Sequence, residues 1–282
     1  MEHLVRPLSP ASVVLDLGAG PGSFSYAGTE ARVLALDVDF PGAAQEPWAR
    51  VLGDSGAIPL GQETVDVVVC NHTLEHFPDC RQAIREIDRV LRPGGSLWVA
   101  VPDGGCLDDR LYRYLFLGGG HVNRFSLASL VEAIETGTRL RARSCKKLFT
   151  GFVYLNPPDP EKVQYYPPRA QFLARIPSRV LRTLLRWMNY GVRVLDRIFR
   201  TRLSQYGWAL VARREDDDSG PATDPSRLGV ESGDTNVCFA CGDGHVEATL
   251  KPVRILFLTF FQCPNCGTRN LMSPLRDSSG PV

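Results

Sequence analysis

The stretch VVLDLGAGPGSF, Val13 to Phe24, decides the fold. A run of β-formers carries one acid, Asp16, and leads straight into Gly18, Gly20 and Gly22. A strand ending in a glycine-rich turn is where open α/β sheets bring backbone close to a nucleotide cofactor. In a dinucleotide loop of the form G-x-G-x-x-G the third small residue falls at position 23. Here that residue is Ser23, and the third glycine comes one place early. Asp16 stands two residues before the first glycine. A carboxylate there repels a pyrophosphate, and it suits a cofactor carrying ammonium and sulfonium groups.

Working outward, strand-like runs occur at 12–17, 32–37, 49–53, 65–70 and 96–102, with a last one at 204–214. They are apolar with little alternation, as parallel strands buried on both faces are. A helix is predicted after Asp79, its N-cap, with Gln82 completing a capping box. Its apolar face is Ala83, Ile84, Ile87, Val90 and Leu91, and RPGG (92–95) is its stop. A second helix starts at Ser126, buries Leu127, Leu130, Val131 and Ile134, and ends near Gly137. Alternating strands and helices predict an α/β fold: a doubly wound, mostly parallel, Rossmann-like sheet. Two carboxylates fall where such a sheet binds ligands. Asp37 ends the second strand, 19 residues after Gly18, and can accept two ribose hydroxyls. Asp54 follows the third strand and can receive an adenine amino group.

The 282 residues are 44% hydrophobic and 22% charged with a net charge of +1, so no chain-wide basic field marks a nucleic-acid binder. No apolar run reaches the ~18 residues that span a bilayer. The stretch MEHLVRPLSPAS lacks a basic region followed by a long apolar core, so no secretory signal is expected and a cytoplasmic location is the default. The predicted organisation is a main domain over 1–214, an acidic flexible linker over 215–236 and a small β-rich domain over 237–272. An insert at 157–203 interrupts the main domain.

The motifs VLDLGAGPGSF, ALDVD, LGDSGAIPL, VDVVVCNHTLEHFPD and REIDRVLRPGGSLWVAVPD stand in this order between about residue 11 and 102. In them the sequence resembles the class I S-adenosylmethionine-dependent methyltransferases of the type 11 group, and HVNRFS (121–126) continues the likeness. The resemblance implies an enzyme that uses S-adenosylmethionine. Gly18 and Gly20 would let backbone approach its methionine part, and Asp16 would help hold the amino group. Asp37 would bind the ribose, Asp54 and Ser55 would flank the adenine, and Asn71 would border the methionine with its backbone.

Methyl transfer from a sulfonium is an in-line displacement, so the protein mainly holds the acceptor and excludes water. A base is needed only where the acceptor must lose a proton. His76 and His121 are the candidate catalytic residues, with His72 nearby in sequence. The alternative for each is a histidine fixed by local hydrogen bonds that shapes the pocket. LNPPDP (155–160) looks like an N-P-P-aromatic amino-methyltransferase motif, but it stands far from the fourth strand and Asp159 replaces the aromatic, so it reads as a turn.

Of the eight cysteines, Cys70, Cys80, Cys106 and Cys145 are scattered and read as ordinary thiols. Cys238 and Cys241 form one C-x-x-C pair, and Cys263 and Cys266 a second, 21 residues on. Two such pairs make a tetrahedral structural zinc site, and the segment resembles a zinc ribbon. A reducing compartment argues against disulfides and the doubled motif against a redox pair. The glycine after each pair, Gly242 and Gly267, is expected to aim backbone N–H groups at sulfur.

Residues 178–202 predict an amphipathic helix with Leu181, Leu184, Met188, Leu195 and Ile198 on one stripe. Arg179, Arg186, Arg193 and Arg200 recur every seven residues on another. The expected acceptor is small or lipid-like, with an anionic membrane surface as a candidate partner of this helix. RNA or protein methylation guided by the ribbon, and a cofactor-binding scaffold without turnover, are the alternatives.

Overall fold

In the computed structural model the described residues are 2–20, 26, 28–40, 48–149, 151–157, 163, 166–216, 223–225, 228–230, 235–246, 249–256 and 258–272. After a short helix α1 (Glu2–Val5), the early apolar runs form β1 (Val13–Leu17), β2 (Arg32–Asp37), β3 (Ala49–Leu52), β4 (Val65–Asn71) and β5 (Leu91–Pro102). All five run parallel. The central strand β1 pairs with β2 on one side and β4 on the other, so Asp16 lies level with Ala35 and Val69. Leu15 and Leu17 of β1, with Val68 and Cys70 of β4, are fully buried in the main core. That two-sided burial is why these strands read as unbroken apolar runs. The direction of winding reverses between β1 and β4, and the crevice at that switch point is the ligand position of open α/β sheets.

Between β4 and β5 the predicted helix appears as α2 (Cys80–Val90), burying Ala83, Ile84, Ile87 and Val90. Asp79 caps it by accepting from the Gln82 backbone N–H at 2.9 Å. The capping box is not closed, because the Gln82 side chain donates to the Gly56 carbonyl at 3.1 Å instead. RPGG stops the helix but is not a turn: it belongs to β5, in an irregularity of the β4–β5 ladder. Next come α3 (Leu107–Leu115) and α4 (Leu127–Glu135). In α4 the Ser126 cap and Ser129 satisfy each other's backbone, and the four predicted apolar residues are buried.

Two antiparallel strands complete the main sheet. β6 (Leu140–Phe149) was not expected, because Arg141, Arg143, Lys146 and Lys147 break its apolar pattern. One nitrogen of the buried Arg141 guanidinium donates to the carbonyls of Thr138 and Leu140. After α5 (Pro168–Gln171) and α6 (Ser178–Phe199), β7 (Gln205–Arg214) inserts between β5 and β6, antiparallel to both.

The tail departs from the expected free linker. Within 215–236, Leu228 is buried in the main core, and β8 (Gly229–Val230) and β9 (Thr235–Val237) both pair in parallel with β6. Residues 217–222, 226, 227 and 231–234 lie outside the described residues. β10 (Gly244–Val246) adds to β9, so the first cysteine pair sits in a hairpin at the edge of the main sheet. A separate three-stranded antiparallel sheet follows: β11 (Val253–Ile255), β12 (Leu258–Gln262) and β13 (Arg269–Leu271).

The helix α6 ties these parts together. Its buried face is Leu181, Leu185, Asn189, Val192, Arg193 and Asp196; of the stripe predicted from the sequence only Leu181 is buried, with Met188 half-buried beside it. Leu181, Leu185 and Val192 join Leu115, Phe152, Leu155 and Leu173 in a second core, each apolar side chain contributing about 1.5–3 kcal/mol by burial. Leu184 is 54% exposed, and Leu195 and Ile198 are also exposed. Arg193 is only 3% exposed and gives a hydrogen bond to Asn236 Oδ1 at 2.6 Å. Burial pushes its pKa down to about 10, against the pull of Asp196. Asp196 also accepts from Thr201 Oγ1 and from the backbone of Leu203 and Ser204, which fixes the turn into β7.

Replacing Arg193 by Met leaves Asn236 and Asp196 without their buried partner. The expected loss is about 3 kcal/mol, read from the urea midpoint. A single transition for sheet and tail is also expected, because β9 is hydrogen-bonded to β6.

Candidate functional site

At the carboxyl end of β1 the chain turns by putting Gly18 at φ +73° and Gly20 at φ +52°. A Cβ on Gly18 would lie 2.6 Å from the Thr73 methyl, so no other residue fits there. Thr73 Oγ1 in turn donates to the Leu17 carbonyl at 3.1 Å, and the Gly18 N–H donates to the Leu36 carbonyl at 2.8 Å. The loop is thereby fastened to β2 and to the segment after β4. At Gly20 a Cβ would meet nothing within 4 Å, so the loop backbone fronts open space. The rest of the predicted loop, residues 21–25 with Gly22 and Ser23, lies outside the described residues.

The predicted carboxylates gather around this loop. Asp37 Oδ2 accepts from the Gly20 N–H at 2.7 Å, and its Oδ1 accepts from the Asp39 N–H at 3.3 Å. Each oxygen keeps a lone pair for a further donor. Asp16 is fully buried below, and burial together with this carboxylate pushes the Tyr26 phenol pKa up. Asp54 is exposed at the start of a tight turn, where its Oδ1 accepts from the Gly56 N–H at 2.7 Å. Ser55 lies within that turn. Asn71 ends β4, level with Ala100 of β5. The apolar Val38 and Leu52 are exposed beside Asp37 and Asp54. Sequence reasoning missed both, since an exposed aliphatic cannot be told from a core one by type.

Across the switch point, beyond β4, lies a second group. A short 3₁₀ turn (Leu74–His76) places Glu75 and His76 together. The ring of His76 meets His121 edge-on, with centroids 4.8 Å apart. His121 Nδ1 lies 3.0 Å from Asp109 Oδ1, and Arg113 Nε donates to Asp109 Oδ2 at 2.6 Å. The same guanidinium donates to the carbonyls of His121 and Asn123. The Asn123 side chain donates to the carbonyls of Leu74 and Phe77. The Tyr112 ring stacks on His121 at 4.8 Å. His72 Nε2 is 3.0 Å from the Tyr206 hydroxyl, and its Nδ1 is 3.6 Å from Glu75 Oε1. Partial desolvation pushes the His76 pKa down and favours its neutral form. Burial pushes the Tyr112 and Tyr206 phenols up, keeping both as neutral hydroxyls.

The two candidate histidines are therefore brought together. Glu75, Asp109, Tyr112, Arg113 and Tyr206 complete the group, and sequence reasoning missed them. The acid beside His76 in TLEHF was a legible signal for Glu75. Tyr206 had none, because its partner His72 is 134 residues away.

Residues 15–99 match the family model described as a methyltransferase domain. This segment is a methyltransferase domain. Over 160 residues the chain is 34% identical to a malonyl-[acyl-carrier protein] O-methyltransferase of Methylococcus capsulatus, covering 51% of this chain and 56% of that protein. A protein of the same description from Pseudescherichia vulneris is 35% identical over 136 residues, covering 44% and 54%. The chain thus spans about half the length of the curated relatives it matches. Among solved structures, phosphoethanolamine N-methyltransferase 2 of Haemonchus contortus, in complex with phosphomonomethylethanolamine and S-adenosylhomocysteine, superposes with a TM-score of 0.50. Its identity is 15%, over 77% of this chain and 51% of that one, and it supports the methyltransferase fold alone.

Beyond the methyltransferase domain, the four paired cysteines converge. Their sulfurs all lie within 4.8 Å of one another, with Cys238 to Cys266 at 3.7 Å and Cys241 to Cys263 at 3.6 Å. Thiolates held about 2.3 Å from one tetrahedral ion sit roughly 3.8 Å apart. A disulfide would need about 2.05 Å. Gly242 and Gly267 take positive φ, as the knuckles require. Their own N–H groups donate to the carbonyls of Cys238 and Cys263, both at 2.9 Å, while the backbone N–H groups of Asp243, Asn265, Cys266 and Thr268 are directed at the sulfurs. The sulfurs receive other donors: Asn270 Nδ2 is 3.3 Å from Cys238 Sγ, and His245 Nε2 is 3.2 Å from Cys263 Sγ. The carbonyl of Phe239, inside the first pair, accepts from the Asn156 side chain, which ties this centre to the segment before α5. Residues 158–160 of LNPPDP lie outside the described residues.

Proposed function

We propose that the chain transfers a methyl group from S-adenosylmethionine to an oxygen of a small or lipid-like acceptor. The observation that carries this reading is the left-handed Gly18–Gly20 loop, clamped on Asp37 and opening at the same switch point as the histidine group. Asp37 would hold the ribose, with Asp54, Ser55, Val38 and Leu52 around the adenine. Asp16, Gly18, Gly20 and Asn71 would hold the methionine end, where a buried carboxylate favours an ammonium. Bound S-adenosylmethionine supplies a methyl already activated on sulfur and a neutral leaving group. The chain's own task is then to place the acceptor oxygen in line and keep water away. His76 and His121 face that oxygen, His121 oriented by Asp109 and His76 kept neutral by its surroundings. The relatives named as malonyl-[acyl-carrier protein] O-methyltransferases support an oxygen acceptor.

S-adenosylmethionine is expected to raise the melting temperature while NAD does not. Asp37→Ala is expected to weaken binding roughly ten- to hundredfold, since a charge-assisted hydrogen bond contributes about 1.5–3 kcal/mol. Calorimetric titration measures this, and equal binding of NAD would overturn the reading.

The sulfur tetrad fits Zn²⁺ as a structural ion held by Cys238, Cys241, Cys263 and Cys266. Elemental analysis is expected to find about one zinc per chain at this centre. Removal by a chelator is expected to lower the melting temperature of the whole chain, because the zinc hairpin continues the main sheet. A chelator that leaves the melting temperature unchanged would contradict this.

A second reading concerns α6. No described helix is long and apolar enough to cross a membrane. Yet Val180, Leu184, Trp187, Leu195 and Ile198 are exposed along α6, with Trp187 at 66%. Residues 166–203 carry nine arginines and one acid, Asp196, which is buried. This combination supports contact with an anionic membrane surface, where each cation contributes about 1 kcal/mol. Co-sedimentation with anionic vesicles at low salt is expected, weakened by salt and abolished in a Leu184→Ser, Trp187→Ser variant. Absence of binding at low salt would leave the stripe without this role.

A further inference from the structure

Glu75, in the 3₁₀ turn after β4, is only 1% exposed. Its Oε1 faces His72 Nδ1 at 3.6 Å, while its Oε2 is buried with no hydrogen-bond partner among the described residues. A buried carboxylate oxygen left in this way is costly, and it calls for a cationic or donor group beside it. The neighbours that reach it are imidazoles. Ligand atoms of Glu75, His76 and His121 all lie within 4.8 Å of one another.

We propose that Glu75, His76 and His121 form a second metal site, for a divalent transition ion, within the acceptor pocket. One carboxylate oxygen and two imidazole nitrogens are a donor set for a first-row ion with open positions left for another ligand. Around such an ion, ligands about 2.1 Å from the metal lie up to roughly 4.2 Å apart, so closure takes side-chain shifts of a few tenths of an ångström. The outer groups are in place. Asp109 engages Nδ1 of His121, which leaves Nε2 as the free nitrogen, and Arg113 and the Asn123 backbone hold that pair. A carboxylate behind a ligating imidazole is the usual means of fixing its tautomer and ring. The His76 ring is set by its hydrogen bond with the Gly120 backbone. The Arg113 charge is matched by Asp109 and does not oppose an ion here. The open positions would take an oxygen-bearing acceptor, a hydroxyl or a carboxylate, and orient it for methyl transfer. This role for the ion rests on the proposed methyl transfer, whereas its binding does not.

The test uses the full chain with its cysteine centre filled with Zn²⁺. Added Co²⁺ is followed through the visible bands of nitrogen- and oxygen-ligated cobalt, which lack thiolate charge transfer. Saturation at about one equivalent is expected. Glu75→Gln and His121→Gln are each expected to weaken it by at least about tenfold. S-adenosylmethionine binding is measured in parallel by thermal shift. Its retention in both variants shows that they fold, and its absence in wild type would count against the cofactor reading alone. Failure of wild type to bind Co²⁺ saturably would overturn the site and leave Oε2 to a water molecule. Binding unchanged in Glu75→Gln would overturn it as well. If Glu75→Gln does not fold, His121→Gln carries the same comparison.

Discussion

The close approach of the Gly18 backbone to Thr73 constrains everything at the carboxyl end of the sheet. Gly18 must take a left-handed conformation, and a single added carbon would strike the Thr73 methyl. Thr73 also donates to the carbonyl of Leu17. The loop after β1 is therefore locked to the segment after β4, and its next N–H groups lock to β2 through Leu36 and Asp37. These contacts set the spacing between the carboxylates on one side of the switch point and the histidines on the other. The proposed methyl transfer, in which donor and acceptor must meet at one bond, depends on that spacing.

The histidine side is held by a different device. No strand register fixes His121, which arrives on the loop between α3 and α4. Arg113 fixes it instead, by bonding Asp109 with one nitrogen and the carbonyls of His121 and Asn123 with the others. A planar guanidinium with several donors can hold three acceptors at once in a defined plane, which a lysine cannot. Asn123 then fastens the same loop to the turn that carries Glu75 and His76. The pocket is thus a closed set of hydrogen bonds between elements far apart in the chain.

The tail shows how a small module can be absorbed into its host. A ribbon on a free tether would be a separate body. Here β9 continues the sheet beside β6, and the buried Arg193 of α6 reaches Asn236. Tyr190 of α6 donates to the Arg269 carbonyl, and the Gly151 position abuts the Phe239 backbone. The cysteine centre and the second core therefore share a helix, and its arginines divide between solvent and interior.

Much of this was legible along the chain. The five parallel strands followed from unbroken apolar runs, which only two-sided burial explains. The glycines and Asp16 pointed away from a dinucleotide, and the doubled C-x-x-C pattern foretold four converging sulfurs. These features depend on local spacing, so one dimension suffices to read them. Strand β6 was hidden, because its charged residues break the apolar pattern while Arg141 nonetheless takes a buried place, donating to carbonyls of its own turn. The α6 face was misread because Leu184, Leu195 and Ile198 carry the periodicity of a core while Asn189, Arg193 and Asp196 occupy it. The sequence by itself determined the strands, the glycine loop and the convergence of the four paired cysteines, since each rests on residue type at short range. Only the tertiary structure decided that Glu75 meets two histidines and that a buried arginine anchors the tail. Those outcomes depend on which distant groups satisfy a buried charge, and no spacing records that.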